Sequence, residues 1–197
     1  MKLVLATRNA HKLREFEALL APHEILELPA GVTLPPETAE TFAGNAIEKA
    51  RTAAQATGLP AIADDSGIEA AALGGAPGVR SARYAGEHAT DEENLAKLLR
   101  EAPAGSPLAY VCALAYVDPD SGTEHLVEGR CSGTLDPDPR GDGGFGYDPA
   151  FLPDDLADGR TMAELDQAEK DAISHRGRAA RELRGLLDTM QTSWQDR

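Results

Sequence analysis

The stretch IADDSGI, residues 62–68, places two adjacent carboxylates, Asp64 and Asp65, between apolar residues. The preceding LPAIA, residues 59–63, predicts a short buried strand that follows Gly58. Two adjacent negative charges disfavour each other's ionisation, and burial strengthens that effect. These residues allow two interpretations. Asp, Ser and Gly are common in solvated turns, whereas acids at a strand end of an open α/β sheet are placed to bind a metal or act as a general base.

Strand and helix patterns alternate on both sides of this stretch. Apolar spacing predicts a terminal helix, and DPDSG between two apolar runs predicts a hairpin turn. The pattern is typical of an α/β fold with a sheet of mixed direction flanked by helices. The predicted strands cover residues 3–6, 24–28, 59–63, 109–117 and 124–132, and the predicted helices cover 10–20, 41–57, 90–100 and 175–190.

Length and charge restrict the class of protein. The 197 residues fit a single domain over 1–197, and no apolar run is long enough to cross a bilayer. A net charge of −14 argues against a nucleic-acid polymer as partner, although a small anion remains possible where cations gather. The first residues lack a signal-peptide pattern, so we expect a cytoplasmic protein without a membrane partner. Cys112 and Cys131 lack metal-ligand spacing and are expected to be reduced thiols.

Three further segments carry candidate chemistry. TRNAHK, residues 7–12, joins a strand to a helix and suits phosphate, or is an ordinary capped helix with surface cations. GGFGYDP, residues 143–149, suits a flat base such as a purine, or is a glycine loop with an apolar anchor. EKDAISHRGRA, residues 169–179, gathers cations at a predicted helix start near Ser174, or forms a solvated basic face.

Taken together, these segments resemble the inosine/xanthosine triphosphate pyrophosphatase (ITPase) family, the HAM1-like non-canonical purine pyrophosphatases. The resemblance rests on LATRNAHKLREF (5–16), AIADDSGIEAAALGGAPGVRSARYAG (61–86), GGFGYDPAF (143–151) and EKDAISHRGRA (169–179), in family order. It implies a two-lobed α/β fold around a long, twisted mixed sheet with the active-site cleft between the lobes, and a homodimer. It also implies Mg²⁺-dependent hydrolysis of ITP, dITP or XTP to the monophosphate and pyrophosphate, which cleanses the nucleotide pool.

The resemblance assigns roles to individual residues. Asp65 would be the metal-linked general base, with Ser66 beside it, and Glu37 would be a second metal ligand, with Glu40 as the alternative. The remaining substrate-binding set is Thr7, Arg8, Asn9, Ala10, His11 and Lys12 for the triphosphate, Phe145, Gly146, Tyr147 and Asp148 for the nucleoside, and Lys170, His175 and Arg176 for base and phosphate contacts.

Two residues depart from the family pattern. Arg8 replaces a glycine in the first motif, and Gly44 stands where an acidic residue is usual. Two other functions stay open at this point: a nucleotide sensor without turnover, and a phosphatase that removes single phosphates. An intact Asp65 together with Lys12 and Lys170 favours turnover.

Overall fold

The computed structural model describes residues 1–195, with side chains described through residue 191. Short 3₁₀ helices and loops connect its regular elements. The strands are β1 (Lys2–Leu5), β2 (Glu24–Glu27), β3 (Ala61–Ala70), β4 (Pro107–Val117), β5 (Glu124–Leu135) and β6 (Phe151–Pro153), and the α-helices are α1 (Ala10–Leu19), α2 (Phe42–Thr57), α3 (Asp91–Glu101), α4 (Gln167–Ile173) and α5 (His175–Gln195).

The six strands form one sheet in the order β2-β1-β3-β4-β5-β6. β1 pairs in parallel with both β2 and β3, whereas β6 pairs antiparallel with β5. The mixed sheet predicted from the sequence is therefore confirmed. The chain leaves β1 for β2 on one side and returns to β3 on the other. Because such crossovers are right-handed, α1 and α2 cover opposite faces of the sheet, and a strand order that reverses in this way marks a ligand site at the carboxyl ends of the strands.

The chain divides into two compact units. The first unit contains residues 1–65, 112–129 and 177 onward, and its core joins β1 and α1 to the apolar stripe of α5 through residues such as Leu5, Phe16 and Leu183. The second unit contains residues 66–111 and 130–176, and its core packs α3 against β4 through residues such as Leu98, Tyr110 and Phe151. Strands β3, β4 and β5 each contribute residues to both units.

The sequence-based prediction of a strand that ends at residue 63 is wrong. β3 continues through Asp64 and Asp65 to Ala70, and the exposed fractions of the two aspartates are only 2% and 7%. The solvated-turn interpretation is therefore excluded. Turn-forming residues remain in an extended strand here because partners for their polar groups lie on neighbouring elements.

Side chains cap the starts of three helices. Asn9 caps α1, Thr41 caps α2, and Thr90 forms a capping box with Glu93 at the start of α3. α5 begins at His175 as expected, but residues 167–173 form a separate helix, α4, that the sequence did not predict. Among the described residues, no helix combines the length and apolarity that crossing a bilayer requires.

Candidate active site

The loop after β1 is shaped by its own polar side chains. The Asn9 side-chain oxygen accepts hydrogen bonds from the backbone N–H groups of His11 (2.8 Å) and Lys12 (3.3 Å), and Thr7 Oγ1 accepts from Asn9 N at 3.2 Å. Ala10 is the first residue of α1. The loop thus holds a helix N-terminus beside β3, where the dipole favours an anion.

Arg8 and Lys12 leave this loop toward different partners. The Arg8 guanidinium donates to the backbone carbonyls of Leu28 (2.6 Å), Pro29 (2.8 Å) and Val32 (2.7 Å). Lys12 Nζ instead forms an ion pair with Asp64 Oδ2 at 2.9 Å. Arg8 thus ties the loop after β1 to the segment after β2. Because its guanidinium donors are used in these contacts, Arg8 is better suited to hold the segment in place than to bind phosphate.

The carboxylates of Asp64 and Asp65 have separate partners. Successive side chains of a strand point to opposite faces of a sheet. Asp64 meets Lys12 of α1, while Asp65 Oδ2 accepts a hydrogen bond from Asn45 Nδ2 of α2 at 2.8 Å. Because each acid faces a different helix, the protein keeps two neighbouring carboxylates buried.

Lys49 of α2 connects Glu37 to Asp65 within the first unit. Its Nζ lies 2.7 Å from Glu37 Oε1, 2.7 Å from the Asp64 carbonyl oxygen and 3.5 Å from Asp65 Oδ1. Burial alone lowers the pKa of Lys49, but the surrounding acids reverse this, so the pKa lies above its ordinary value and the ammonium stays charged. We call Glu37, Asn45, Lys49 and Asp65 the acidic cluster.

Burial raises the pKa of Asp65, while the charge of Lys49 and the hydrogen bond from Asn45 oppose this rise. The net pKa lies above the ordinary value, which brings the carboxylate closer to the proton affinity of a useful general base. Asp65 can therefore accept a proton without leaving the interior of the sheet.

The structure favours Glu37 over Glu40 as the second carboxylate, because Glu37 reaches Lys49 whereas Glu40 is exposed. The same segment is fixed by Ala39 N, which donates to Asn45 Oδ1 at 2.9 Å. Gly44 makes this close approach possible, since a Cβ there would lie 2.7 Å from the Ala39 Cβ. The departure at Gly44 thus has a local packing reason.

The predicted nucleoside residues of the second unit also converge. Asp148 Oδ2 accepts from Lys170 Nζ at 2.6 Å and from Phe145 N at 3.0 Å. Gly144 has φ +72°, and a Cβ there would lie 2.0 Å from Asp148 Oδ2, so this contact requires glycine. Gly146 N donates to Asp91 Oδ2 of α3 at 2.9 Å. The glycine loop is therefore a folded, hydrogen-bonded turn.

Phe145 presents a flat apolar face near two cations. Its side chain is 40% exposed, and Lys170 Nζ and Arg176 Cζ lie 5.1 Å and 5.8 Å from the ring centroid. Arg176 also donates to Ser66 Oγ at 3.2 Å, and His175 stacks on Tyr110. We call Tyr110, Phe145, Asp148, Lys170, His175 and Arg176 the aromatic cluster. Its residues offer a ligand a stacking surface and hydrogen-bond donors.

Two other predicted substrate-binding residues contact different partners. Tyr147 is buried, and its hydroxyl donates to the Ser81 carbonyl at 2.7 Å. This hydrogen bond anchors the glycine loop to the segment that contains Ser81. His11 Nδ1 lies 3.0 Å from an Arg14 nitrogen on the exposed side of α1.

Sequence reasoning missed Asn45, Lys49 and Tyr110. A signal for the first two was present: both lie on the stripe of α2 that carries Phe42, Ala46 and Ala50, where polar residues interrupt an otherwise apolar face. Tyr110 sits in an apolar strand, and nothing in the sequence separated its hydroxyl from that of Tyr116 on the same strand.

Comparison with known proteins places this geometry in a family. The Ham1 family model matches residues 3–186. The chain is similar to a protein named dITP/XTP pyrophosphatase from Streptomyces coelicolor, with 49% identity over 92% of this chain and 94% of that protein. It is likewise similar to proteins of the same name from Frankia alni (48% identity, 98% of this chain, 100% of that protein) and Escherichia coli O157:H7 (47% identity, 96% and 98%).

Solved structures agree with this. A HAM1 protein from Coxiella burnetii matches with a TM-score of 0.87 and 41% identity, covering 96% of this chain and 99% of that one. The Staphylococcus aureus Ham1 protein matches with a TM-score of 0.85 and 35% identity, covering 96% and 100%. The family expected from the four motifs is confirmed: the chain belongs to the Ham1 family.

Proposed function

We propose that this protein hydrolyses non-canonical purine nucleoside triphosphates, namely ITP, dITP and XTP, to the monophosphate and pyrophosphate. Relatives with almost the same length and close to half of the residues identical carry the name dITP/XTP pyrophosphatase. The structural observation that carries the proposal is the environment of Asp65, a buried carboxylate with a raised pKa held between Asn45 and Lys49.

The two clusters suit the two ends of such a substrate. The acidic cluster and the loop 7–12 offer a general base, cations and a helix N-terminus, which are the groups that a triphosphate requires. The aromatic cluster offers an exposed phenyl face with cationic donors beside it, which suits an oxo-purine. We therefore propose that the acidic cluster suits the triphosphate and that the aromatic cluster suits the base of such a substrate.

We propose Mg²⁺ as the cofactor. Glu37 and Asp65 provide carboxylate oxygens that contact the same ammonium, and the described residues include no group of three or more His, Cys, Asp or Glu side chains able to hold a metal. Such a donor set fits Mg²⁺, which is commonly held by one or two carboxylates together with substrate phosphates and water. When bound, Mg²⁺ would neutralise phosphate charge and polarise the scissile phosphoryl group.

The other steps of the proposed reaction are assigned to residues of the chain. Asp65 accepts a proton from a water molecule that attacks the α-phosphorus, and Asn45 fixes the carboxylate in the orientation for that transfer. Lys49 keeps a positive charge beside the carboxylate, which holds its pKa below the value that burial alone would give. Lys170 and Arg176 are donors, so they favour the oxo group of hypoxanthine or xanthine over the amino group of adenine.

One assay separates this function from its alternatives. The protein is incubated with ITP, dITP, XTP, ATP and GTP in the presence of Mg²⁺, and the products are identified. We expect pyrophosphate and monophosphate from the inosine and xanthosine nucleotides. Orthophosphate would indicate a phosphatase, and binding without any product would indicate a sensor. A parallel titration with EDTA tests the requirement for the metal.

We further propose a homodimer that works in the cytoplasm. The family resemblance supports the dimer, and two cysteines that form no disulfide, Cys112 and Cys131, fit a reducing compartment. Light scattering on a size-exclusion column tests the dimer, because a single species of about 20.8 kDa, the mass of one chain, would contradict it.

A further inference from the structure

Tyr110 touches two of the predicted nucleoside residues at once, although no sequence motif includes it. Its hydroxyl lies 2.9 Å from Asp148 Oδ1. Its ring stacks on the imidazole of His175, with centroids 4.7 Å apart and planes 9° from parallel. Phe151 packs against the same ring, with centroids 4.7 Å apart, and Tyr110 is only 7% exposed. One buried side chain therefore joins Asp148 to His175.

The direction of the hydrogen bond is fixed. Burial raises the pKa of the Tyr110 phenol far above its ordinary value, and the charge of Asp148 raises it further, so the hydroxyl is protonated and donates. Asp148 then accepts from Tyr110 on one oxygen and from Lys170 and Phe145 on the other. A carboxylate held by three donors on both oxygens cannot rotate freely.

The fixed carboxylate of Asp148 determines the positions of the groups that would contact a nucleoside. Asp148 holds the Lys170 ammonium, which retains two further N–H donors, and it holds the backbone from which the Phe145 ring projects. The Tyr110 ring, stacked on the imidazole of His175, fixes the orientation of the imidazole plane. A site whose groups are held before the ligand arrives loses less conformational entropy on binding.

We propose that Tyr110 is a positioning residue for nucleoside binding: its hydroxyl fixes Asp148, and its ring fixes His175, so that the aromatic cluster is preformed. This inference rests on the proposed function of that cluster. Tyr110 touches its neighbours and not the reacting phosphates, so its removal affects binding of the base more than the chemical step.

The strand provides a matched control. Tyr116 is also a buried tyrosine of β4, but among the described residues its hydroxyl has no hydrogen-bond partner. Tyr110→Phe and Tyr116→Phe each delete one buried hydroxyl and leave the ring in place. Only the first of these changes removes a donor from a carboxylate.

The experiment measures binding of IMP by calorimetry, and KM and kcat with ITP, for the wild type and both variants. We expect Tyr110→Phe to weaken IMP binding about three- to tenfold and to raise KM similarly, because the Asp148 carboxylate must then be ordered when the ligand binds, with kcat within about twofold of the wild type. Tyr116→Phe is expected to match the wild type in all three. Tyr110→Leu, which also removes the stacked ring, is expected to bind IMP more weakly than Tyr110→Phe.

Unchanged IMP binding in Tyr110→Phe overturns the inference, and so does an equal loss in Tyr116→Phe. A lower kcat with unchanged KM and IMP affinity also overturns it, because that result assigns Tyr110 to the chemical step or to general stability. A wild type that binds IMP but releases no pyrophosphate from ITP overturns the proposed hydrolysis alone. A wild type that binds no IMP overturns the inference together with the nucleoside site.

Discussion

Asn45 and Lys49 explain how a buried Asp65 can act as the general base that we propose. Without them, burial would raise the pKa of this carboxyl group further and favour the protonated form, which cannot accept another proton. A hydrogen bond from Asn45 and a charge from Lys49 limit the rise in pKa. The result is a carboxylate whose proton affinity is higher than that of an exposed aspartate but lower than burial alone would give.

Asp65→Asn tests this assignment. The amide has nearly the same shape but cannot act as a base, so we expect kcat with ITP to fall by about 10²- to 10⁴-fold, the usual contribution of a general base. Thermal unfolding followed by circular dichroism should show that the variant still folds. Near-full turnover in a folded variant would remove Asp65 from the mechanism.

Arg8 makes a second residue-scale prediction. Its guanidinium group donates to four backbone carbonyls of the segment that leads to Glu37, so Arg8→Gly should loosen that segment. We expect the Mg²⁺ concentration for half-maximal activity to rise several-fold, with little change in KM for ITP at saturating Mg²⁺. Initial rates over a matrix of Mg²⁺ and ITP concentrations measure both quantities.

Arg8→Lys is the control that separates a tether from a phosphate ligand. Lysine keeps the charge but lacks the planar fork, so a tether is lost in both variants. If lysine instead restores a KM that glycine had raised, the charge itself binds the triphosphate and the tether interpretation fails.

At the residue scale, the sequence predicted the members of each motif but not what joins them. Lys12, Asp65 and Lys170 were identified because each lies in a recognisable segment. Lys49 and Tyr110 were not, since a buried polar group is visible only once the elements around it are packed. Pairing across 12 to 38 residues, as in Lys49–Glu37 and Tyr110–Asp148, leaves no local pattern.

At the scale of elements, two glycines should respond to alanine with opposite signs. Gly58 ends α2 with φ +66°, a conformation that L residues adopt at a cost of about 1–2 kcal/mol. Gly185 lies inside α5, where its added Cβ would meet open space and alanine favours the helix by up to about 1 kcal/mol.

We therefore expect Gly58→Ala to lower the free energy of unfolding and Gly185→Ala to raise it. A Cβ at Gly58 also meets nothing within 4 Å, so a clash cannot account for its cost. Urea denaturation measures both variants against the wild type. The same sign for both would show that backbone conformation does not control stability at these two positions.

Helices were predicted well and β3 was not, for a common reason. A capping residue and an apolar stripe are local, so the predicted bounds 41–57 and 90–100 lie within one residue of those of α2 and α3. The length of β3 depends instead on cations supplied by α1 and α2. Local turn propensity predicts that the strand ends at residue 63. In the structure, the ion pair of Asp64 with Lys12 supports its continuation.

At the scale of the whole molecule, His23 should make stability depend on pH. Burial, and then the N-terminal ammonium 3.3 Å from its Nδ1, lower the pKa of His23 below 6.5. The folded protein therefore keeps His23 neutral where the unfolded chain binds a proton. The stability that neutral His23 contributes is complete above pH 6.5 and declines as the pH falls below 6.5.

His23→Gln isolates this contribution. We expect the free energy of unfolding of the wild type, relative to the variant, to be larger at pH 7.5 than at pH 5.5. His88→Gln, at an exposed histidine, serves as the control for removing an imidazole. A difference that grows toward acid pH would mean that His23 is protonated in the folded protein.

The opposite orientation of Asp64 and Asp65 has an evolutionary consequence. Residues 59–63 can change their side chains and still pair with β1, but the loss of a single residue there would aim each carboxylate at the helix that now serves the other. Lys12 would then face the base, and Asn45 would face the wrong acid. Related chains should therefore tolerate substitutions in this segment and reject changes in its length.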